Sequence, residues 1–198
     1  VKCWPINLSG KYEMGPFIDR KELNKIKEDK KPIFICSCND LFANDVPQDI
    51  IITILNKCGE FRSNEYLFQT KNPRRLSPYV AFWIPPNSTV GTTIESNRDY
   101  GLSEAPSPVE RYGAMVRLPR IHDKMVSIEP IMDFDIETMV RWMRLIRPTY
   151  ISIGADSKNK NLPEPSPEKI KALVDVLQTF TEVRIKDNLK RLMNVRKE

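Results

Sequence analysis

Six apolar runs in this chain each stop at residues that could do chemistry. Run 32–38 ends at Asn39 and Asp40, run 66–69 at Thr70 and Lys71, and run 89–94 at Glu95, Ser96 and Asn97. Run 125–128 ends at Glu129, run 150–153 at Gly154, Asp156 and Ser157, and run 182–185 at Lys186 and Asp187. With Arg98 added, Asp40, Lys71, Glu95, Asn97, Glu129, Asp156, Ser157 and Lys186 form a candidate polar set that suits three chemistries. Clustered Asp and Glu could hold Mg²⁺, because hard cations take oxygen ligands. Lys71 or Lys186 could form a Schiff base if desolvated. The set could also bind a polar cofactor. Any single carboxylate after a strand can instead cap the next helix or pair with a neighbouring cation.

The elements that must position this set read as a β/α alternation. Most of the runs are followed by a helix-like stretch, and successive strand starts suit parallel strands joined by crossover helices. The expected fold is α/β: a partial (β/α) TIM-like barrel with parallel strands and outer helices. In a barrel the active site lies at the carboxyl ends of the strands, so the polar set should converge on one rim. Asp19 is placed to cap a helix reaching Asp29, and Pro47 to open a helix that Gly59 ends. Ser107 and Glu110 form a capping box. Asp135 is placed to cap a helix over 136–146 in which Met139, Val140, Met143 and Leu145 supply apolar area, and Ser166 to open the next. Residues 1–18 read as an irregular N-terminal segment and 187–198 as a basic C-terminal stretch, with a short amphipathic helix over 188–195. No linker divides the chain, so 1–198 reads as a single domain.

Composition limits the function classes. At 198 residues the chain has room for a sizeable core but falls short of the ~250 residues of a full eight-unit barrel. Its 40% hydrophobic and 29% charged content is ordinary for a globular protein. No apolar run has membrane-spanning length and the first residues lack signal-peptide form, which predicts no membrane partner and a cytoplasmic location. The four cysteines, Cys3, Cys36, Cys38 and Cys58, do not read as a disulfide scaffold. Two of them, Cys36 and Cys38, lie within one predicted strand, but their spacing matches no standard zinc or cluster motif. The sole histidine, His122, lies between a helix and a strand and reads as structural, which argues against a His-based zinc site. The net charge of +5 comes largely from lysines in 20–31 and basic residues in 184–197. Solvated helix faces and affinity for nucleic acid or another polyanion both account for it.

Several stretches, taken in order, resemble a known family. Ile35-Cys36-Ser37-Cys38-Asn39-Asp40-Leu41-Phe42-Ala43 is similar to its second-strand signature. Leu67-Phe68-Gln69-Thr70-Lys71-Asn72-Pro73-Arg74-Arg75 and Gly91-Thr92-Thr93-Ile94-Glu95-Ser96-Asn97-Arg98 resemble the next two. Val126-Ser127-Ile128-Glu129-Pro130-Ile131-Met132-Asp133-Phe134, then Ile153-Gly154-Ala155-Asp156-Ser157, Leu162-Pro163-Glu164-Pro165 and Lys186-Asp187-Asn188-Leu189 continue the pattern. Together they look like the phage- and bacterium-encoded radical-SAM-like proteins of largely unassigned function, distantly akin to spore photoproduct lyase. The resemblance spans about residues 11–193. It rests on the order of the motifs rather than on any one of them.

The resemblance implies a [4Fe–4S] cluster, S-adenosylmethionine (SAM), and hydrogen abstraction by a 5′-deoxyadenosyl radical from an unidentified substrate, with nucleic acid one candidate. Thiolates suit such ligation. By position it implies that Ser37, Asn39 and Asp40 meet the SAM amino group, that Glu95 and Asn97 meet its ribose or carboxylate, and that Gly154, Asp156 and Ser157 lie near its adenine. Lys71, Glu129 and Lys186 are left as candidate catalytic or substrate-binding groups. The family holds its cluster by C-x3-C-x2-C, which this sequence lacks. If Val1 and Lys2 are spacer residues, Cys3 is the third ligand and the other two lie upstream. The alternative readings are a cluster-less barrel serving as a nucleic-acid or partner-binding module, and a Mg²⁺- or Schiff-base-dependent barrel enzyme.

Overall fold

A computed structural model describes residues 17–76, 78–158 and 160–193. Its strands are β1 (Ile33–Ile35), β2 (Tyr66–Thr70), β3 (Ser88–Thr93), β4 (Asp123–Ile128), β5 (Tyr150–Ile153) and β6 (Glu182–Ile185). They form one open, all-parallel sheet in the order β1-β2-β3-β4-β5-β6, flanked by helices. The helices are α1 (Arg20–Leu23), α2 (Gln48–Gly59), α3 (Pro78–Ala81), α4 (Pro108–Arg117), α5 (Ile136–Ile146) and α6 (Pro167–Leu177). The fold is thus the expected partial barrel type. No described helix is long and apolar enough to cross a membrane.

The chain forms two compact units, Val1–Gly91 with Leu118–Asp123, and Thr92–Arg117 with Lys124–Glu198. The boundaries fall inside β3 and near the ends of α4 and β4, not in a linker. In the first unit β1 pairs in parallel with β2, Ile33 opposite Tyr66. Phe42 meets Phe68 edge to face with ring centroids 6.5 Å apart, a favourable arrangement for two aromatic quadrupoles. Helix α2 buries Ile50, Ile51, Ile54, Leu55 and Cys58, the stripe its spacing predicts.

In the second unit β4, β5 and β6 pair in register, with Met125 opposite Tyr150 and Tyr150 opposite Glu182. Helix α5 packs against α4 and α6. Tyr112 and Trp142 stack with centroids 4.6 Å apart. The capping box holds, since Glu110 accepts from the Ser107 backbone N–H at 2.9 Å and its own N–H meets the Ser107 hydroxyl at 3.4 Å. Ser166 caps α6 by accepting from the Lys169 N–H.

Four local expectations are corrected. The helix begun by Asp19 stops at Leu23 instead of reaching Asp29. Like charges at Lys21 and Lys25 sit four residues apart, which disfavours continuation. Buried Asn64 also captures the following backbone, accepting from the Asp29 N–H at 2.9 Å and donating to the Lys27 carbonyl at 2.8 Å.

The strand expected over 32–38 ends at Ile35, because Cys36 takes a left-handed conformation (φ 54°). Cys36 and Cys38 therefore do not share a strand face. Helix α2 ends at Gly59, as expected, with right-handed Glu60 as its cap. In α5 the inward residues are Met139, Trp142, Met143 and Ile146, while Leu145 is exposed. The C-terminal helix is a 3-10 turn over Asp187–Arg191; residues 194–198 lie outside the described residues.

Candidate functional site

In the first unit the polar residues after β1 and β2 bind one another's backbone. Asp40 accepts from the Phe42 N–H at 2.9 Å and from the Lys71 N–H at 2.8 Å, so one carboxylate fixes both strand-end turns. Asn72 is buried and donates to the Asn44 carboxamide at 2.8 Å, and Arg75 donates to the Ala43 carbonyl. Ser37 and Asn39 lie half-buried in the turn after β1, where the Asn39 N–H closes on the Cys36 carbonyl. The Lys71 side chain is half-buried.

In the second unit the residues after β3 split in two directions. Glu95 turns inward and is buried, meeting the Arg111 guanidinium of α4 at 2.8 Å. The same Arg111 nitrogen donates to the Thr93 carbonyl at 2.7 Å. Its Nε is buried without a hydrogen-bond partner. Asn97 and Arg98 instead reach the loop after β4. Asn97 accepts from the Asp135 N–H at 2.7 Å and donates to the Asp135 carboxylate at 2.9 Å. Arg98 pairs with Asp133 and with Asp135, the latter at 2.6 Å.

Asp135 precedes α5 as expected but makes no side-chain cap, because its carboxylate is given to Arg98 and Asn97. Those hydrogen bonds, Arg98 first, hold its carboxyl down at about 2. Asp133 is also depressed, first by a hydrogen bond from Lys169 at 2.5 Å and further by the two cationic charges.

The ends of β4, β5 and β6 meet around Glu129. One carboxylate oxygen pairs with the Lys186 ammonium, and the other accepts from the Asn188 carboxamide at 3.1 Å. Asn188 also accepts from the Ala155 N–H at 3.2 Å and donates to the Ala155 carbonyl at 2.8 Å. Gly154 is what admits the carboxylate. A Cβ there would lie 2.5 Å from Glu129 Oε1 and 3.0 Å from Asn188 Oδ1. Next to this cluster, Asp156 accepts from the backbone N–H groups of Lys158 at 2.8 Å and Lys160 at 2.5 Å, which depress its pKa. Ser157 is exposed in the same loop. Arg191 donates to the Asp156 carbonyl at 2.9 Å and pairs with Glu164.

The residues missed from sequence are the partners. Arg111 carried a readable signal: it lies on the same helix face as Ala114 and Met115, and a charge on a buried stripe needs a counter-charge. Asp133, Lys169, Asn188 and Arg191 carried none, because their partners lie 27 to 59 positions away in the chain. His122 is structural as expected, with one ring nitrogen 2.9 Å from the Ala81 carbonyl.

The groups that the resemblance implies meet these residues unevenly. Cys36 and Cys58 are buried, and burial pushes the Cys58 thiol well up, away from the thiolate that binds iron. Cys3 lies outside the described residues. Among the described residues no group of three or more His, Cys, Asp and Glu is placed to hold a metal ion. They do not fit the cluster. For SAM, the space beside Gly154 is filled by Glu129 and Asn188, the Glu95 carboxylate is turned to Arg111, and Asp156 is satisfied by its own loop. Lys186, half exposed and ion-paired, is not the desolvated amine that Schiff-base chemistry needs.

Fold and site together define an α/β protein with an open parallel sheet and polar residues at the carboxyl ends of its strands. Residues 14–159 match the family model described as "Protein of unknown function (DUF5131)", and the chain belongs to that family. No curated protein matches. Among solved structures the chain is similar to SuiB of Streptococcus suis, with 10% identity and a TM-score of 0.51. That alignment covers 84% of this chain and 42% of SuiB, and at such low identity the likeness is one of fold alone.

Proposed function

We propose that this chain is the strand-end frame of a radical SAM-type enzyme core. In this reading Ser37, Asn39 and Asp40 face SAM, and the cluster ligands lie outside the described residues, with Cys3 as one of them. The observation that carries the reading is the order of the motifs: each falls at the carboxyl end of successive parallel strands, where a barrel enzyme keeps its site. The open, partial sheet and the fold-level likeness to SuiB agree with it. The buried Glu95 and the filled space at Gly154 move these two residues from ligand contact to support of the frame. The substrate would then be met by the more exposed pair, Lys186 and Glu129.

The test uses the full-length gene product, reconstituted anaerobically with iron and sulfide. The expected result is bound iron with a brown visible chromophore, and a change in the electron paramagnetic resonance of the reduced protein on adding SAM. Cys3→Ala should abolish both. A full-length protein that takes up no iron and binds no SAM in equilibrium dialysis overturns the reading.

A further inference from the structure

The carboxyl ends of β5 and β6 carry more positive charge than their internal contacts consume. Adjacent parallel strands run about 4.8 Å apart, so the turns that follow them are neighbours. Arg191, in the turn after β6, is hydrogen-bonded to the Asp156 carbonyl in the loop after β5, which ties the two together. The Asp156 carboxylate folds its own loop by accepting from the N–H groups of Lys158 and Lys160, and this holds both residues exposed on a compact turn. Neither lysine ammonium makes a hydrogen bond or ion pair among the described residues, although the Lys160 charge also helps to hold the Asp156 carboxyl down.

Among the described residues the Lys186 ammonium has one partner, Glu129, and it is half exposed. An ammonium carries three donors, so two remain for a ligand. Glu129 is itself held by Asn188 and by the space Gly154 leaves, so Lys186 is anchored at a fixed place. The local carboxylates are spent: Glu129 on Lys186, Asp156 on its loop, Glu164 on Arg191 and Asp187 on Lys190.

We infer that Lys158, Lys160 and Lys186 form a phosphate-binding lip that takes the phosphate esters of a nucleotide or a nucleic-acid strand. Ammonium groups bind phosphate as point charges, and several on one lip match the spaced charges of a phosphodiester chain. The inference goes beyond the SAM reading and needs neither iron nor SAM, so each can fail alone.

The test measures fluorescence anisotropy of a labelled single-stranded oligonucleotide with the full-length protein across a salt series. The K158Q/K160Q/K186Q variant should bind at least about tenfold more weakly, and its slope of log K against log salt should shrink by about 2. A control of equal charge loss, K27Q/K30Q/K31Q, should bind like the wild type. Adenosine monophosphate as competitor separates the two sources: equal competition assigns the lip to a nucleotide phosphate, and no competition to a strand backbone. A wild type that binds neither probe, a triple variant that binds like the wild type, or a control that loses as much as the triple variant overturns the inference.

Discussion

Glu95 and Glu129 follow neighbouring parallel strands, and each pairs with a cation, yet they are different devices. Glu95 and Arg111 leave only 7% and 5% of their side chains exposed, whereas Glu129 and Lys186 leave 24% and 49%. The cation of the first pair comes from the next helix and seals the strand-to-helix connection. That of the second comes from the end of β6 and stands in solvent. A carboxylate at a strand's carboxyl end is therefore not in itself a site. What separates the two is where the partner comes from, and with it how much water the pair keeps.

The largest expected effect tests the sealed pair. Removing one partner of a buried ion pair leaves an uncompensated charge and costs about 3–5 kcal/mol. Arg111→Met should destabilise the protein by that amount in urea denaturation, and adding Glu95→Gln to it should recover part of the loss. Equal stability of Arg111→Met and the wild type would show that the pair is not sealed.

The next effect tests the seat of the open pair. In Gly154→Ala the new Cβ would meet Glu129 Oε1 at 2.5 Å, so the carboxylate must swing away from Lys186 and Asn188. Because it is the end of a flexible chain, the expected cost is about 1 kcal/mol, the scale of mild overpacking with loss of a hydrogen bond. In a Glu129→Ala background the same substitution should cost much less, and a double-mutant cycle measures the difference. Additive effects would separate Gly154 from Glu129.

These contrasts also mark what could be read in the sequence. The β/α alternation was legible because each strand is a short apolar run and each of the longer helices has a stripe, as in α2 and α6. The caps at Ser107 and Ser166 were legible because their partners lie three residues away. The inward turn of Glu95 was not, since it depends on which face of α4 Arg111 occupies once the helix has docked. The role of Gly154 was hidden for a similar reason. A glycine after a strand looks alike whether it makes room for a cofactor or for Glu129, a residue 25 positions earlier in the chain. Asp135 looked like a cap because local geometry allowed one, and Arg98 outcompeted the backbone for it.

A third prediction concerns that competition. The folded Asp135 carboxyl is held at about 2, below its ordinary value of 3.8. A depressed carboxyl contributes stability that is full above the ordinary value and is lost as pH falls through the folded one. Stability from this contact should therefore decline between about pH 4 and pH 2. Arg98→Gln should return the Asp135 carboxyl towards its ordinary value in a carbon-detected NMR titration. Asp133 should move less, because Lys169 is the largest cause of its depression. Equal movement of both would make Arg98 the dominant partner of each.

The smallest effect on stability falls on Lys186, and it separates folding from binding. The pair with Glu129 is partly exposed, and contacts open to water contribute about 0–1 kcal/mol. Lys186→Gln should leave the denaturation midpoint nearly unchanged, since Asn188 still holds one oxygen of Glu129. The oligonucleotide affinity should nevertheless fall, because the ammonium faces solvent with donors to spare. A change in stability as large as that of Arg111→Met would place Lys186 with the sealed pair, as a residue that holds the frame. An affinity loss without a stability loss places it with the ligand, and makes the open pair the functional member of the two.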